Sequence, residues 1–85
     1  MLNTELHTLI RYLEHRYKND SIDTSKIESA TSALIISDNF ESLPENVQDE
    51  IIFLDNYEIE KPSTEQIADS IKTLRNYVQA IDKAS

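Results

Sequence analysis

The sequence predicts an all-α fold, a compact four-helix bundle, on three observations. Apolar residues recur at three- and four-residue spacing in four separate stretches, capping signals stand ahead of three of them, and the 85-residue chain contains no glycine. Tight hairpin turns favour glycine, so its absence argues against a sheet of short hairpins. A less regular packing of the same helices is the alternative. A chain this short is expected to form one domain, residues 1–85, that buries roughly 60–65% of its extended surface. The apolar fraction of 39% suffices for one modest core.

The first helix is expected over residues 4–18. Leu2, Leu6, Leu9, Ile10, Leu13 and Tyr17 share one face, Thr4 can cap the start, and Asn19 can take the left-handed conformation that ends a helix. The second is expected over 26–37, with Ser25 and Glu28 as a capping box, an apolar face of Ile27, Ala30, Leu34 and Ile35, and a break at Asp38-Asn39. The third, over 43–57, has Ser42 and Glu45 as its capping box and Pro44 in its first turn, where proline is tolerated. Its core stripe is Leu43, Val47, Ile51 and Leu54. The fourth, over 64–82, follows the break at Lys61-Pro62; Ser63 and Gln66 repeat the capping pattern ahead of Ile67, Ile71, Leu74, Val78 and Ile81. Linkers of a few residues favour antiparallel neighbours.

Composition excludes several chemistries. Without cysteine there is no disulfide, thiolate zinc site or cysteine nucleophile. Without glycine there is no phosphate-binding loop, dinucleotide fingerprint or EF-hand loop, each of which needs glycine where the backbone turns sharply or approaches a ligand closely. Serines 25, 42 and 63 fall where capping accounts for them, and no Ser/His/Asp constellation stands out. No Glu-x-x-His pair of the di-iron type is present, and acidic residues one turn apart, such as Glu45 and Asp49, occur on any exposed helix. The expectation is therefore a non-enzymatic protein without catalytic residues, metal or cofactor. No apolar run approaches the ~20 residues of a membrane span. The stretch MLNTELHTLIRYLEHR lacks the basic leader and apolar block of a signal peptide, so a cytoplasmic protein is expected.

The charge is unevenly placed. Net charge is −8, yet residues 27–60 hold nine acids and no base, while the rest of the chain holds seven acids and eight bases. A helical projection of the third helix sets Glu45, Asp49 and Asn56 opposite the core stripe and puts Ile52 among them. Phe53 and Tyr57 lie along one border of that face, and Asp55 lies on the other flank. An apolar residue inside a carboxylate surface suits a basic protein partner: the charges steer approach and the apolar or aromatic anchors supply affinity. The contact candidates are Glu41, Glu45, Asp49, Ile52, Phe53, Asp55 and Tyr57. In the plainer reading, Ile52 and Phe53 simply touch neighbouring helices, and the acids serve solubility. Direct nucleic-acid binding is disfavoured, because residues 27–60 repel phosphates.

On the first helix the outward side carries His7, Arg11, Glu14, His15 and Lys18. Pairing with the acidic third helix, within the chain or in a homodimer, would use both faces. His15-Arg16-Tyr17-Lys18 is similar to the histidine-then-lysine spacing of histidine phosphotransfer domains. Asn19 stands where that family has glycine, and the chain is short for it, so His15 reads as a solvated surface histidine. Small size, acidity and helix content together resemble the immunity proteins that bacteria make against their own nuclease toxins. The resemblance is one of kind, with no shared motif, and it implies a cationic toxin domain as the basic partner. The alternative function is a homo-oligomeric structural or regulatory protein that buries Ile36, Ile52 and Phe53 in a self-interface.

Overall fold

The computed structural model describes the backbone of residues 2–19 and 21–84 and the side chains of 4–19 and 21–81. Among the described residues there is no strand. Five helices follow one another: α1 (Leu2–Arg16), α2 (Thr24–Ile35), α3 (Glu45–Asp55), the single turn α4 (Tyr57–Glu60) and α5 (Thr64–Ala84). Short 3-10 turns at Tyr17–Asn19 and Phe40–Ser42 close α1 and lead into α3. The all-α expectation holds. The bundle has four main helices; the expected third helix ends at Asn56, and the fifth, α4, begins at its last expected residue and runs on through the expected linker.

The apolar stripes meet as predicted. Leu6, Leu9, Ile10 and Leu13 of α1, Ile27 and Leu34 of α2, Val47, Ile51 and Leu54 of α3, and Ile67, Ile71, Leu74 and Val78 of α5 form one buried cluster. Leu43 and Phe40, from the segment before α3, complete it. Ile35, Tyr12, Tyr17 and Tyr77 are half-buried at its edges. Leu2, expected on the same stripe, lies outside the described side chains. The radius of gyration is 12.0 Å, which is that of a fully packed chain of this length.

Helix ends depart from the sequence expectations in instructive ways. At Ser63 the predicted capping box is present in both directions: the Ser63 N–H donates to Gln66 Oε1 at 2.8 Å, and the Gln66 N–H donates to Ser63 Oγ at 3.1 Å. At α2 the cap is Asp23, not Ser25. Its carboxylate accepts from the Ser25 N–H at 2.9 Å, and its own N–H donates to the Tyr12 hydroxyl at 2.7 Å. A carboxylate two residues upstream outcompetes a serine hydroxyl, and helix α2 accordingly starts and ends about two residues before its expected span. At α3 the cap position is Pro44, which has no side-chain acceptor, and Ser42 belongs to the preceding 3-10 turn. Gln48 ties that turn down by donating to the carbonyl of Leu43 at 2.7 Å. Asn19 is not left-handed: α1 tightens into a 3-10 turn instead. Among the described residues Lys61 carries the positive φ, 46°, at the end of α4. A left-handed lysine costs about 1–2 kcal/mol relative to a right-handed one, a strain that glycine would relieve.

The order of packing sets the geometry of the surface. Helix α1 packs on α2 and α5, and α3 packs on the same two helices. Thus α1 and α3 occupy opposite corners of the bundle, and their outward faces point in opposite directions. Pairing of the basic α1 face with α3 inside one chain is therefore corrected: an α5 residue, Arg75, forms the ion pair with Glu14 instead. The turn α4 packs on α2 and α3 and extends the acidic side with exposed Glu58 and Glu60.

Candidate functional site

Helix α3 has an inner stripe, two flanks and an outer face, each fixed by its sequence. On the flank toward α2, Asp55 is half-buried and its Oδ1 accepts from Thr31 Oγ1 at 2.8 Å and from Ser32 Oγ at 3.3 Å. Thr31 is fully buried, and its hydroxyl also lies 2.8 Å from the Ile27 carbonyl, so a single proton is shared between a helix carbonyl and the carboxylate. On the flank toward α5, Glu50 Oε1 accepts from Ser70 Oγ at 2.6 Å, and Ser70 is 1% exposed. Both flanks therefore use an acidic residue of α3 to satisfy a buried hydroxyl of a neighbouring helix. That arrangement avoids the cost of a buried donor without a partner.

The outer face differs. Glu45 and Asp49 are exposed, one turn apart, and make no side-chain hydrogen bond or ion pair within the described residues. Ile52 stands beside them with 44% of its surface accessible. Phe53 is half-buried against the core, so the two apolar candidates divide: Ile52 faces solvent, and Phe53 packs inward while keeping one edge open. Glu41 is exposed in the 3-10 turn ahead of α3, and Tyr57 is half-buried where α4 begins. The chain turns between α3 and α4 at Asn56, whose side-chain amide donates to the Ile52 carbonyl at 3.0 Å and so closes the helix end.

Between α3 and α5 lies an open groove of about 380 Å³ lined by Asp49, Glu50, Phe53, Gln66, Asp69 and Ser70. It brings Asp49 and Phe53 together. It leaves Asp55 on the far flank, Glu41 beyond the helix start and Tyr57 past the Asn56 turn. Its acidic residues are Asp49, Glu50 and Asp69, with no base among the lining residues, so its local field attracts cations. Sequence reasoning about α3 alone missed Gln66, Asp69 and Ser70. The periodicity of α5 places Gln66 and Ser70 beside its core stripe, but which helix that flank meets is a matter of topology.

The hydroxyl nearest the groove is already engaged. The proton of Ser70 is committed to Glu50 and its hydroxyl is buried, so it offers no nucleophile to a solute in the groove. Among the described residues no three His, Cys, Asp or Glu side chains converge to hold a metal ion. Among them, too, no helix is long and apolar enough to cross a membrane. No family model, curated protein or solved structure matches this chain.

Proposed function

We propose that this protein is a non-enzymatic binding module that docks a basic protein partner through the outer face of α3 and the groove beside α5. A cationic toxin domain neutralised by an immunity-type inhibitor in the cytoplasm is the kind of pairing it fits. The observation that carries the reading is the confinement of charge. Nine acids and no base occupy residues 27–60, and on α3 the outward acids Glu45 and Asp49 flank the exposed Ile52. Acids kept for solubility alone would need no such concentration, nor an isoleucine among them. In this reading Glu41, Glu45, Asp49 and Asp69 draw in the cationic partner, while Ile52 and the open edge of Phe53 supply the desolvated contact. Asp55 and Tyr57, both half-buried, would meet the partner only at the margins of this face.

The test is capture of basic proteins from a native lysate, with the wild type and a Glu45→Lys/Asp49→Lys variant as baits. A basic protein retained by the wild type, released by salt and lost with the variant is the expected result. Equal retention by both baits would refute the proposed face.

A further inference from the structure

The outward face of α1 is the counterpart of the α3 face. Arg11, His15 and Arg16 are exposed around a shallow depression of about 340 Å³ whose remaining walls are Thr8 and Tyr12. The Arg16 guanidinium lies over the Tyr12 ring, 5.3 Å from its centre, which holds that charge at the rim. Lys18 continues the basic edge into the 3-10 turn. Of the acids of α1, Glu14 is already paired with Arg75, and Glu5 lies in the first turn, away from the lining of the dent. The result is a dent bounded by the two arginines on one corner of the bundle, and an isoleucine beside Glu45 and Asp49 on the opposite corner.

The two surfaces are also complementary in charge. Arg11 and Arg16 stand on either side of the α1 dent, and Glu45 and Asp49 stand one helical turn apart beside Ile52, so each surface sets two like charges around the point of contact and the two surfaces are opposite in sign. We infer that the α1 face is a docking site for a second copy of this chain, which seats Ile52 in the Thr8–Tyr12 depression and pairs Arg11 and Arg16 with Glu45 and Asp49. Because the faces point in opposite directions, one copy cannot present both to one partner. Association is head-to-tail and leaves a free acidic face at one end and a free basic face at the other. The α3 face is then occupied by self, so a basic partner must displace a neighbouring copy.

Net charge decides the conditions under which this occurs. Two chains of −8 repel, but at about 0.15 M salt the screening length is ~8 Å, shorter than the 19 Å minimum extent of the bundle. Charges on remote faces are screened from one another there, and pairs in contact are not. At about 1 M salt the length falls to ~3 Å, and the contact pairs weaken as well.

Sedimentation velocity over a concentration series, in salt near 0.15 M, tests the inference with the whole chain. The wild type forms a concentration-dependent ladder that collapses in high salt. Arg11→Glu/Arg16→Glu and Glu45→Lys/Asp49→Lys each associate about tenfold more weakly or worse. Mixed at equal amounts, these two variants regain association, because the intact α3 face of one meets the intact α1 face of the other and the two reversed faces are again opposite in charge. Arg11→Gln/Arg16→Gln gives an intermediate loss, and circular dichroism confirms that all variants keep their helix content. A wild type that stays monomeric throughout overturns the inference, as does association that survives both charge reversals, or a mixture that fails to pair. Partner capture is read separately with Arg11→Glu/Arg16→Glu, whose α3 face is intact. Failure of self-association thus leaves the proposed docking of a basic protein standing, and the converse holds too.

Discussion

The carboxylates of α3 belong to two populations that the sequence does not distinguish. Glu50 and Asp55 sit on the flanks and accept hydrogen bonds from the buried hydroxyls of Ser70 and Thr31. Glu45 and Asp49 sit on the outer face without a side-chain partner among the described residues. The first pair fastens α3 to its neighbours; the second is surplus to the fold. Acidity alone is thus a poor guide to a docking surface. What matters is the angular position of each acid relative to the core stripe and the presence or absence of a hydroxyl on the adjacent helix.

This contrast predicts a graded series of stability changes, measured as shifts in urea unfolding. On the inner stripe, Leu54→Ala should cost about 2–5 kcal/mol, because Leu54 is fully buried and its removal leaves a cavity. That is a large share of the stability of so small a domain. On the flank, Glu50→Ala should cost about 1–2 kcal/mol, since it strands the buried Ser70 hydroxyl. The reciprocal Ser70→Ala should cost less, because the half-exposed Glu50 recovers its hydrogen bonds from water. If Ser70→Ala proved the more damaging, the hydroxyl would be acting by packing and the flank population would dissolve. On the outer face, Glu45→Gln and Asp49→Asn should change stability by no more than about 0.5 kcal/mol. A loss as large as that of Glu50→Ala would show these acids to be structural and erase the distinction.

Much of this could be anticipated from spacing. The stripes of α1, α3 and α5 name the core almost residue by residue, because a 3.6-residue period leaves few ways to bury so many isoleucines and leucines. The capping box at Ser63 was legible since both of its partners are present and nothing nearby competes. At Ser25 the same pattern misled, for Asp23 offers a stronger acceptor two residues earlier. At Ser42 it misled because proline occupies the cap position and the preceding turn is 3-10. The interruption at Asn56 was also hidden, as the apolar stripe has already ended at Leu54 and no longer reports on the backbone. A projection sets Ile52 among the outward acids of α3, but spacing leaves open whether Ile52 and Phe53 are exposed or packed; the structure exposes Ile52 and half-buries Phe53. The groove could not, because a projection of one helix shows which side is outward and says nothing of which neighbour stands beside it. For the same reason the opposed placement of α1 and α3 emerges only from the packing.

That opposed placement has an electrical consequence. With Glu45 and Asp49 on the outer face of α3 and Arg11, Arg16 and Lys18 along α1 and the turn that closes it, charge is polarised across the bundle in addition to the net charge of −8. A cationic surface therefore exerts a torque as well as a pull, and the bundle turns its α3 side forward before contact is made. For a basic partner of the kind proposed above, productive encounters would become a larger fraction of all collisions. The gain persists only over separations comparable to the screening length, so it fades with added salt sooner than the contacts themselves do.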